Sequence, residues 1–297
     1  MDFIPQEREE NSGWVQLLRL VVYVMGSLLL VSIIAAVLVI GIYGLEALTN
    51  SDNQHYIGSM RIMLIATSIG IFMIPALFLA YTEKGSIKTF YGFDTPKVSW
   101  LAMVLLIIIV SMPFLEWTVA INQKMTFPGY LKWMEDWMRQ KEDETAAITL
   151  LLLDMKGIMD LVINIVMIAI VPAVAEELMF RGAIQRSLTK IFNNPHVAIW
   201  FSAFIFSAIH VQFFGFLPRF LMGAAFGYIY FWSGSLWYAI FGHFLNNAYA
   251  VCAAWYMKKN NLPLSEAEGM HFAWYGYLIS FVLSILAFQY FKKQTTK

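Results

Sequence analysis

The chain has 297 residues, of which 59% are hydrophobic and only 13% charged, and its formal net charge is zero. Soluble domains usually carry about a quarter of charged residues, so this composition excludes a single water-soluble fold and indicates an integral membrane protein. The neutral charge balance gives no electrostatic reason to expect nucleic acid as a partner. Cys252 is the single cysteine, which excludes an intramolecular disulfide.

Apolar segments of the length needed to cross a bilayer, roughly 20 residues as a helix, recur along the whole chain. We predict eight spans, at about 20–44, 60–81, 99–120, 158–187, 197–213, 218–234, 236–257 and 272–291. The predicted fold class is therefore all-α, a polytopic membrane protein forming one membrane domain over residues 1–297. Because the first three spans and the last are almost free of charge, we expect them to be lipid-facing supports around a functional core.

The longest connection, residues 121–157, has its own pattern. Aromatic and apolar residues recur at helical spacing between charged ones around 130–139, which is typical of an amphipathic helix lying in the membrane interface. Its simplest role is an anchor, and the sharper hypothesis is a lid over a substrate entrance. Pro128 breaks any helix continuing from the third span. We interpret Ala146–Leu153 as a re-entrant or interfacial piece because it is too short to cross.

The orientation follows from the lysine and arginine residues in the short flanking segments. With an even number of spans both termini share one side, and ten basic residues fall on that side against four on the other when the 121–157 loop is left out. The count predicts cytoplasmic termini. The ten are Arg8, Arg19, Lys84, Lys88, Lys97, Arg186, Lys190, Lys292, Lys293 and Lys297, and the four in the opposite short loops are Arg61, Arg219, Lys258 and Lys259.

Two packing features stand out in the core segments. Gly223 and Gly227 form a small-xxx-small stripe, which lets a neighbouring helix approach closely. Pro172 lies one turn before Glu176, where it removes a backbone donor and leaves the carbonyl of Ile168 without its helical partner. A kink there could admit water near Glu176, or the proline could be an ordinary one whose freed carbonyl is satisfied by a neighbour.

Ionisable residues inside the apolar run 158–189 are the strongest sign of function. A charge at bilayer depth costs about 2.5–3.5 kcal/mol on insertion scales, so such residues usually face a protein interior or a wet cavity. Glu177 and Arg181 are four residues apart and share a helix face, where they can form an ion pair. Glu176 is rotated by about 100° from Glu177. We therefore predict a site-shaping role for the pair and a cavity-facing Glu176.

Two later spans add imidazoles. His243 and Asn247 are again four residues apart and project from one face. His210 follows Phe206 by one turn, so the Phe206 ring would wall the site. Three helices thus present a carboxylate, two imidazoles and an amide toward what could be one pocket.

This set supports two chemistries. In the first, Glu176 and His210 hold a water and remove its proton as it attacks an amide carbonyl, while His243 and Asn247 donate hydrogen bonds to the developing oxyanion. In the second, Glu176, His210 and His243 ligate zinc, with water in the fourth position. We favour the first, with no cofactor, because it also uses Asn247. The alternative without chemistry is a buried hydrogen-bonded network that only fixes helix positions.

In order and spacing, Glu-Glu-x-x-x-Arg at 176–181, Phe-x-x-x-His at 206–210 and His-x-x-x-Asn at 243–247 resemble the motifs of the CAAX-processing and bacteriocin-processing (CPBP, or Abi) intramembrane endopeptidases. The resemblance covers about 155–255, the predicted catalytic core. It implies that Glu176 and His210 activate water, that His243 and Asn247 form the oxyanion pocket, and that Glu177 and Arg181 shape the site.

The function we predict is an intramembrane endopeptidase that cleaves a membrane-held peptide or protein substrate, such as a lipid-modified, CAAX-like tail, near the cytoplasmic face. The alternative is a catalytically silent membrane scaffold or bacteriocin-immunity protein of the same fold. A proton-coupled transporter would also place such residues at mid-membrane, but it predicts an inverted repeat, and the charge-poor first three spans show none.

Overall fold

The computed structural model describes residues 10–84, 86–262 and 272–296, and every regular element in those ranges is helical. Two short helices, Glu46–Thr49 and Ile87–Tyr91, lie in connections. The main helices are α1 (Gly13–Tyr43), α2 (Tyr56–Glu83), α3 (Val98–Gln123), α4 (Lys132–Leu153), α5 (Ile158–Phe192), α6 (Pro195–Ala208), α7 (Phe216–Ser233), α8 (Leu236–Lys259) and α9 (Trp274–Thr295).

All eight predicted spans fall on helices, which confirms the fold class of an all-α, multi-pass membrane protein. Within the described part of the chain, six helices are long and apolar enough to cross a membrane: α1, α2, α3, α5, α7 with the turn before it, and α9. Helix α6 has only 14 residues, which is too short for a full crossing. Helix α8 has 24 residues, but His243 and two asparagines make it less apolar.

The connection between α3 and α5 is more regular than the sequence predicted. Helix α3 ends at Gln123, five residues before Pro128, as expected. The amphipathic helix α4 then runs unbroken for 22 residues, through the acidic stretch 142–144 to Leu153. Ala146–Leu153, which the sequence predicted as a re-entrant or interfacial piece, is the last part of this continuous helix, because glutamate, alanine and leucine are all good helix formers.

The bundle has two polar ends. At the end where α2 and α5 finish, the buried carboxylate of Glu83 accepts hydrogen bonds from the backbone N–H of Asn11 (2.7 Å), from Gln16 (3.0 Å) and from Arg19 (2.8 Å). At the opposite end, the side chain of Asn122 on α3 bonds the backbone at Phe213 and Leu217. We call the second end the α4 end, because α4 packs there.

Helices α3 and α9 are linked by hydrogen bonds beside a proline of α3. Pro113 interrupts the hydrogen bonding of α3, and the hydroxyl of Ser280 on α9 fills the gap. It donates to the carbonyl of Val110 (2.6 Å) and accepts from the N–H of Phe114 (3.0 Å). A side chain of the neighbouring helix thus satisfies backbone groups that lipid could not.

The glycine stripe on α7 is a packing surface, as predicted. A Cβ on Gly227 would lie 2.7 Å from the Gln185 side chain and 2.9 Å from that of Ile199, and a Cβ on Gly223 would lie 3.1 Å from Ala203. The close approach also lets the carbonyls of Gly223 and Gly227 accept hydrogen bonds from side chains of α5.

We expect Gly227→Ala to lower the free energy of unfolding by about 1–3 kcal/mol, the usual cost of overpacking a tight contact. Thermal unfolding of the purified protein in detergent measures the change. Gly26→Ala on α1 is the matched control, because a Cβ there meets nothing within 4 Å, and it should leave the unfolding temperature unchanged or slightly raised. Equal effects of the two substitutions would contradict the packing role.

Candidate active site

One cavity of about 400 Å³ brings the predicted functional residues together between the helices. It lies between the middle of the bundle and the α4 end, with Glu176 near the middle of α5 and His210 just after α6. Its lining includes all four predicted catalytic residues, together with Phe206: Glu176, His210, His243 and Asn247. The predicted convergence of three helices on one hollow is therefore present.

The buried carboxylate of Glu177 lies behind the cavity and joins the helices around it. Its Oε1 accepts hydrogen bonds from Arg181 Nη1 at 2.7 Å and from His243 Nδ1 at 2.8 Å. Arg181 also donates to the carbonyl of Gly223 at 3.0 Å, and its guanidinium stacks on the Phe206 ring at 4.5 Å. The predicted Glu177–Arg181 pair is present, but the sequence did not show that His243 binds the same oxygen.

Glu176 points away from Glu177, as the 100° rotation required, and its Oε2 lies 3.8 Å from Nε2 of His243. The imidazole of His243 therefore lies between the two glutamates, one at each ring nitrogen. The Phe226 ring stacks on it with ring centroids 5.4 Å apart and planes 15° from parallel. The His243 ring is thus held in one orientation by the Glu177 carboxylate and the face of Phe226.

His210 is fixed by the residue that precedes it by one turn. Its Nδ1 lies 2.7 Å from the carbonyl oxygen of Phe206. Because a carbonyl can only accept, Nδ1 carries the hydrogen and Nε2 of the neutral ring is left with a lone pair. The next residue, Val211, has φ +55°, a left-handed conformation that is costly for a β-branched residue. Such strain is concentrated at functional sites.

Asn247 fills the hydrogen-bonding gap that Pro172 creates. Its side-chain amide donates to the carbonyl of Ile168 at 3.1 Å, the group that lacks its helical partner because residue 172 is a proline. The amide nitrogen has a second hydrogen beside the cavity. Helix α5 also widens into π-helical turns at Ile165–Ile170 and Leu178–Gln185, on both sides of Glu176, and such turns are frequent at functional sites.

Helix α2 contributes more than the sequence predicted. Four of its residues line the cavity: Leu64, Thr67, Ser68 and Phe72. The Ser68 hydroxyl is buried and has no hydrogen-bond partner among the described residues. The prediction that the first three spans are only lipid-facing supports is therefore wrong for α2. Its small hydroxyl side chains carry no charge, so hydropathy gave no signal for them.

Arg219 is a cavity residue that sequence reasoning missed, having counted it only as a loop charge. It lies in the first turn of α7 and lines the cavity with Glu176. Its Nη2 donates to Oε1 of Gln212 at 2.6 Å, and its Nη1 approaches the carbonyl of the same residue at 3.4 Å. An arginine inside a predicted span could have indicated it.

Helix α4 docks on the turn 211–215, which connects His210 to α7. The Trp137 ring packs against Phe213 with centroids 5.5 Å apart, and the Arg139 guanidinium lies 4.1 Å from the Phe214 ring. Oε2 of Glu142 accepts the backbone N–H of Phe214 at 3.3 Å. The amphipathic helix thus supports the segment that carries His210 and Arg219.

The clustering of possible metal ligands is limited. In the described ranges, no three His, Cys, Asp or Glu side chains are grouped as a metal site requires. The Nδ1 of His210 and that of His243 are both held by protein oxygens, which would leave Nε2 of each ring as a possible ligand beside Glu176. That the protein uses no cofactor therefore stays a prediction, with zinc as the alternative.

Two comparisons with known proteins bear on this core. Residues 158–249 match the family model described as "Type II CAAX prenyl endopeptidase Rce1-like". The chain is also 29% identical over 93 residues to the uncharacterized protein YpbD of Bacillus subtilis (strain 168), a match that spans 30% of this chain and 44% of that protein. No solved structure matches.

The matched segment contains all three motifs and every predicted site residue. The fold and the site define a multi-pass membrane protein with a polar intramembrane cavity. Over residues 158–249 the chain is similar to the type II CAAX prenyl endopeptidase family, the family whose motifs the sequence resembles.

We expect Asn247→Ala to destabilise the fold by about 1–3 kcal/mol, because it leaves the carbonyl of Ile168 buried and unpaired. In a Pro172→Ala background the new N–H at 172 can bond that carbonyl, so the same substitution should cost less than half as much. Unfolding temperatures of the two single variants and the double variant measure the coupling. Asn260→Ala at the end of the same helix, whose side chain bonds the carbonyl of Tyr256 and not Asn247, should behave identically in both backgrounds. Additive effects of Asn247→Ala and Pro172→Ala would contradict the role of Asn247.

A second prediction concerns pH. Burial raises the pKa of Glu142 above its ordinary 4.5, with a smaller contribution from Asp143, against the lowering effects of the Phe214 N–H and Arg219. A raised pKa means that the fold disfavours the ionised form of Glu142. The free energy of unfolding therefore falls as the pH rises above the ordinary pKa of this carboxyl and the side chain ionises. Glu142→Gln should therefore unfold at a higher temperature than the unmodified protein at pH 7, and the difference should shrink toward pH 4.

Glu144 on the same helix provides a control of opposite sign. Its hydrogen bond with Lys141 lowers its pKa, so ionisation stabilises the fold above the ordinary carboxyl range and this contribution is lost as the pH falls. Glu144→Gln should therefore lower the unfolding temperature at pH 7 and have little effect at pH 4. Shifts of the same sign in both variants would contradict the assignment.

Proposed function

We propose that this protein is an intramembrane endopeptidase that hydrolyses a peptide bond with activated water. The observation that carries the proposal is that Glu176, His210, His243 and Asn247, from three separate helices, line a single cavity. A network serving only to hold helices together has no need of a hollow at its centre.

The first step requires a base beside a water molecule. Glu176 borders the cavity with its carboxylate directed into it, and Nε2 of His210 presents a lone pair there. A water held between them can lose a proton to Glu176 as its oxygen attacks the carbonyl carbon of the substrate. The proton then passes to the amide nitrogen as the C–N bond breaks, giving a carboxylic acid and a free amine without a covalent intermediate.

The second requirement is stabilisation of the oxyanion formed in the attack. The second amide hydrogen of Asn247 and, in the doubly protonated ring, Nε2–H of His243 are the donors available on α8. The Glu177 carboxylate at Nδ1 orients this ring and offsets its positive charge, as the carboxylate of a catalytic triad does. Arg181 in turn holds Glu177, so both residues act as positioning residues.

The mechanism we propose uses no metal ion. Its rival keeps Glu176, His210 and His243 as zinc ligands, in which case the metal would polarise the carbonyl or the water. Inhibition by a chelator, reversed by added zinc, would support the rival.

The substrate we propose is a membrane-held peptide or protein, with lipid-modified tails included in that class, that enters from the bilayer. The side of cleavage is part of the proposal. Ile168, Arg219 and Asn247 line the cavity and lie in the halves of their helices nearer the α4 end, which supports cleavage nearer that end than the end where the described chain begins. Adding the five basic residues of 121–157 to the opposite side gives nine against ten, which sets no orientation. Arg8 and Lys297, two of the ten, lie outside the described residues.

The test is cleavage of a library of membrane-tethered peptides by the purified protein in lipid vesicles. Glu176→Gln should reduce turnover by about a hundredfold or more, the usual contribution of a general base, with the unfolding temperature little changed. Equal cleavage by both forms would show that another enzyme is responsible. No cleavage by either form, in a strain where the protein still confers a phenotype, would support the scaffold or immunity function instead.

A further inference from the structure

Arg219 is the one arginine or lysine on the cavity wall within the described residues, and the mechanism above does not use it. A guanidinium has five N–H donors. Its hydrogen bonds within the described part of the chain go to a single residue, Gln212. The remaining donors are available to a molecule in the cavity.

The charge of Arg219 has no close carboxylate to balance it. Glu142 and Glu176 are near enough to act on it electrostatically, but neither lies within the 4.0 Å of an ion pair, and in the described ranges no other acidic side chain does. By contrast, Arg181 on the neighbouring helix has a carboxylate at 2.7 Å. A partly buried cation without such a partner is costly at membrane depth, unless a ligand supplies the missing negative charge.

The surroundings of Arg219 hold the guanidinium without neutralising it. Gln212 offers two neutral oxygens, which orient the fork of donors but bring no charge. Gly215 leaves room for it, since a Cβ at that position would lie 3.2 Å from Nη2 of Arg219. Arginine with a fixed orientation is suited to bind a carboxylate through two parallel hydrogen bonds.

We propose that Arg219 binds a carboxylate of the substrate and so determines which peptides are cleaved. This inference rests on the proposed function. With the carboxylate held at the first turn of α7 and the scissile carbonyl at His243 and Asn247, the substrate crosses the cavity toward the α4 end. The carboxylate could be the C-terminus of the peptide or an acidic side chain a few residues beyond the cleaved bond.

Three forms of one membrane-tethered peptide separate these sources: a free C-terminal acid, a C-terminal amide, and the amide with one aspartate after the cleaved bond. We expect kcat/KM to be about 10- to 100-fold higher for a form that carries the recognised carboxylate, as for one charge-assisted hydrogen-bonded pair. Arg219→Gln should abolish this preference, with the larger loss of kcat/KM in the forms that carry the recognised carboxylate. Arg219→Lys keeps the charge without the fork and should retain part of the preference.

Two results would overturn the proposal. One is equal cleavage of all three forms by the unmodified protein. The other is an equal loss for all three forms in Arg219→Gln, which would make the arginine merely structural. Binding of the same fluorescent peptides to Glu176→Gln tests the inference separately from the reaction. If that variant binds the three forms equally, the carboxylate site is absent; if it prefers a carboxylate but the unmodified protein cleaves nothing, only the proposed function fails.

Discussion

The buried carboxylate of Glu177 is the interaction on which the rest of the site depends. One oxygen receives both Arg181 from its own helix and His243 from α8, and Arg181 continues the chain of hydrogen bonds to a carbonyl of α7. Three helices are thus fixed relative to one another by groups that lipid cannot satisfy. Removing one partner of such a pair costs about 3–5 kcal/mol because a charge is left buried. The same constraint sets the orientation of the His243 ring at the cavity.

Prolines in two helices are matched by polar side chains from the neighbouring helix. Ser280 inserts where Pro113 interrupts α3, and Asn247 bonds the carbonyl that Pro172 leaves free in α5. In a bilayer there is no water to satisfy such backbone groups, so a partner must come from the protein. In α3 these hydrogen bonds serve only to link α3 with α9. In α5 it also brings an amide to the wall of the cavity, and one residue therefore serves both packing and the proposed chemistry.

Much of the fold could be predicted because apolar length and helix periodicity are local properties. They placed all eight predicted spans on helices, six of which in the described residues are long and apolar enough to cross a membrane, and the motif spacings indicated which residues share a face. Long-range pairing could not be predicted in the same way. Nothing local connects His243 to Glu177, sixty-six positions apart, or shows that α4 supports the turn after His210. The role of Thr67 and Ser68 on α2 could not be predicted from hydropathy, because both side chains are small and carry no charge. Arg219 was visible but was assigned to a loop.

The turn 211–215 has a consequence for how this protein can vary. It is only five residues long, it contains a strained valine, and it sets the distance between His210 and Arg219. One added residue at the start of α7 would turn every following side chain by about 100° around the axis. Relatives that share this arrangement of cavity residues should therefore tolerate insertions poorly here, and differences in chain length among them should accumulate in connections that do not border the cavity.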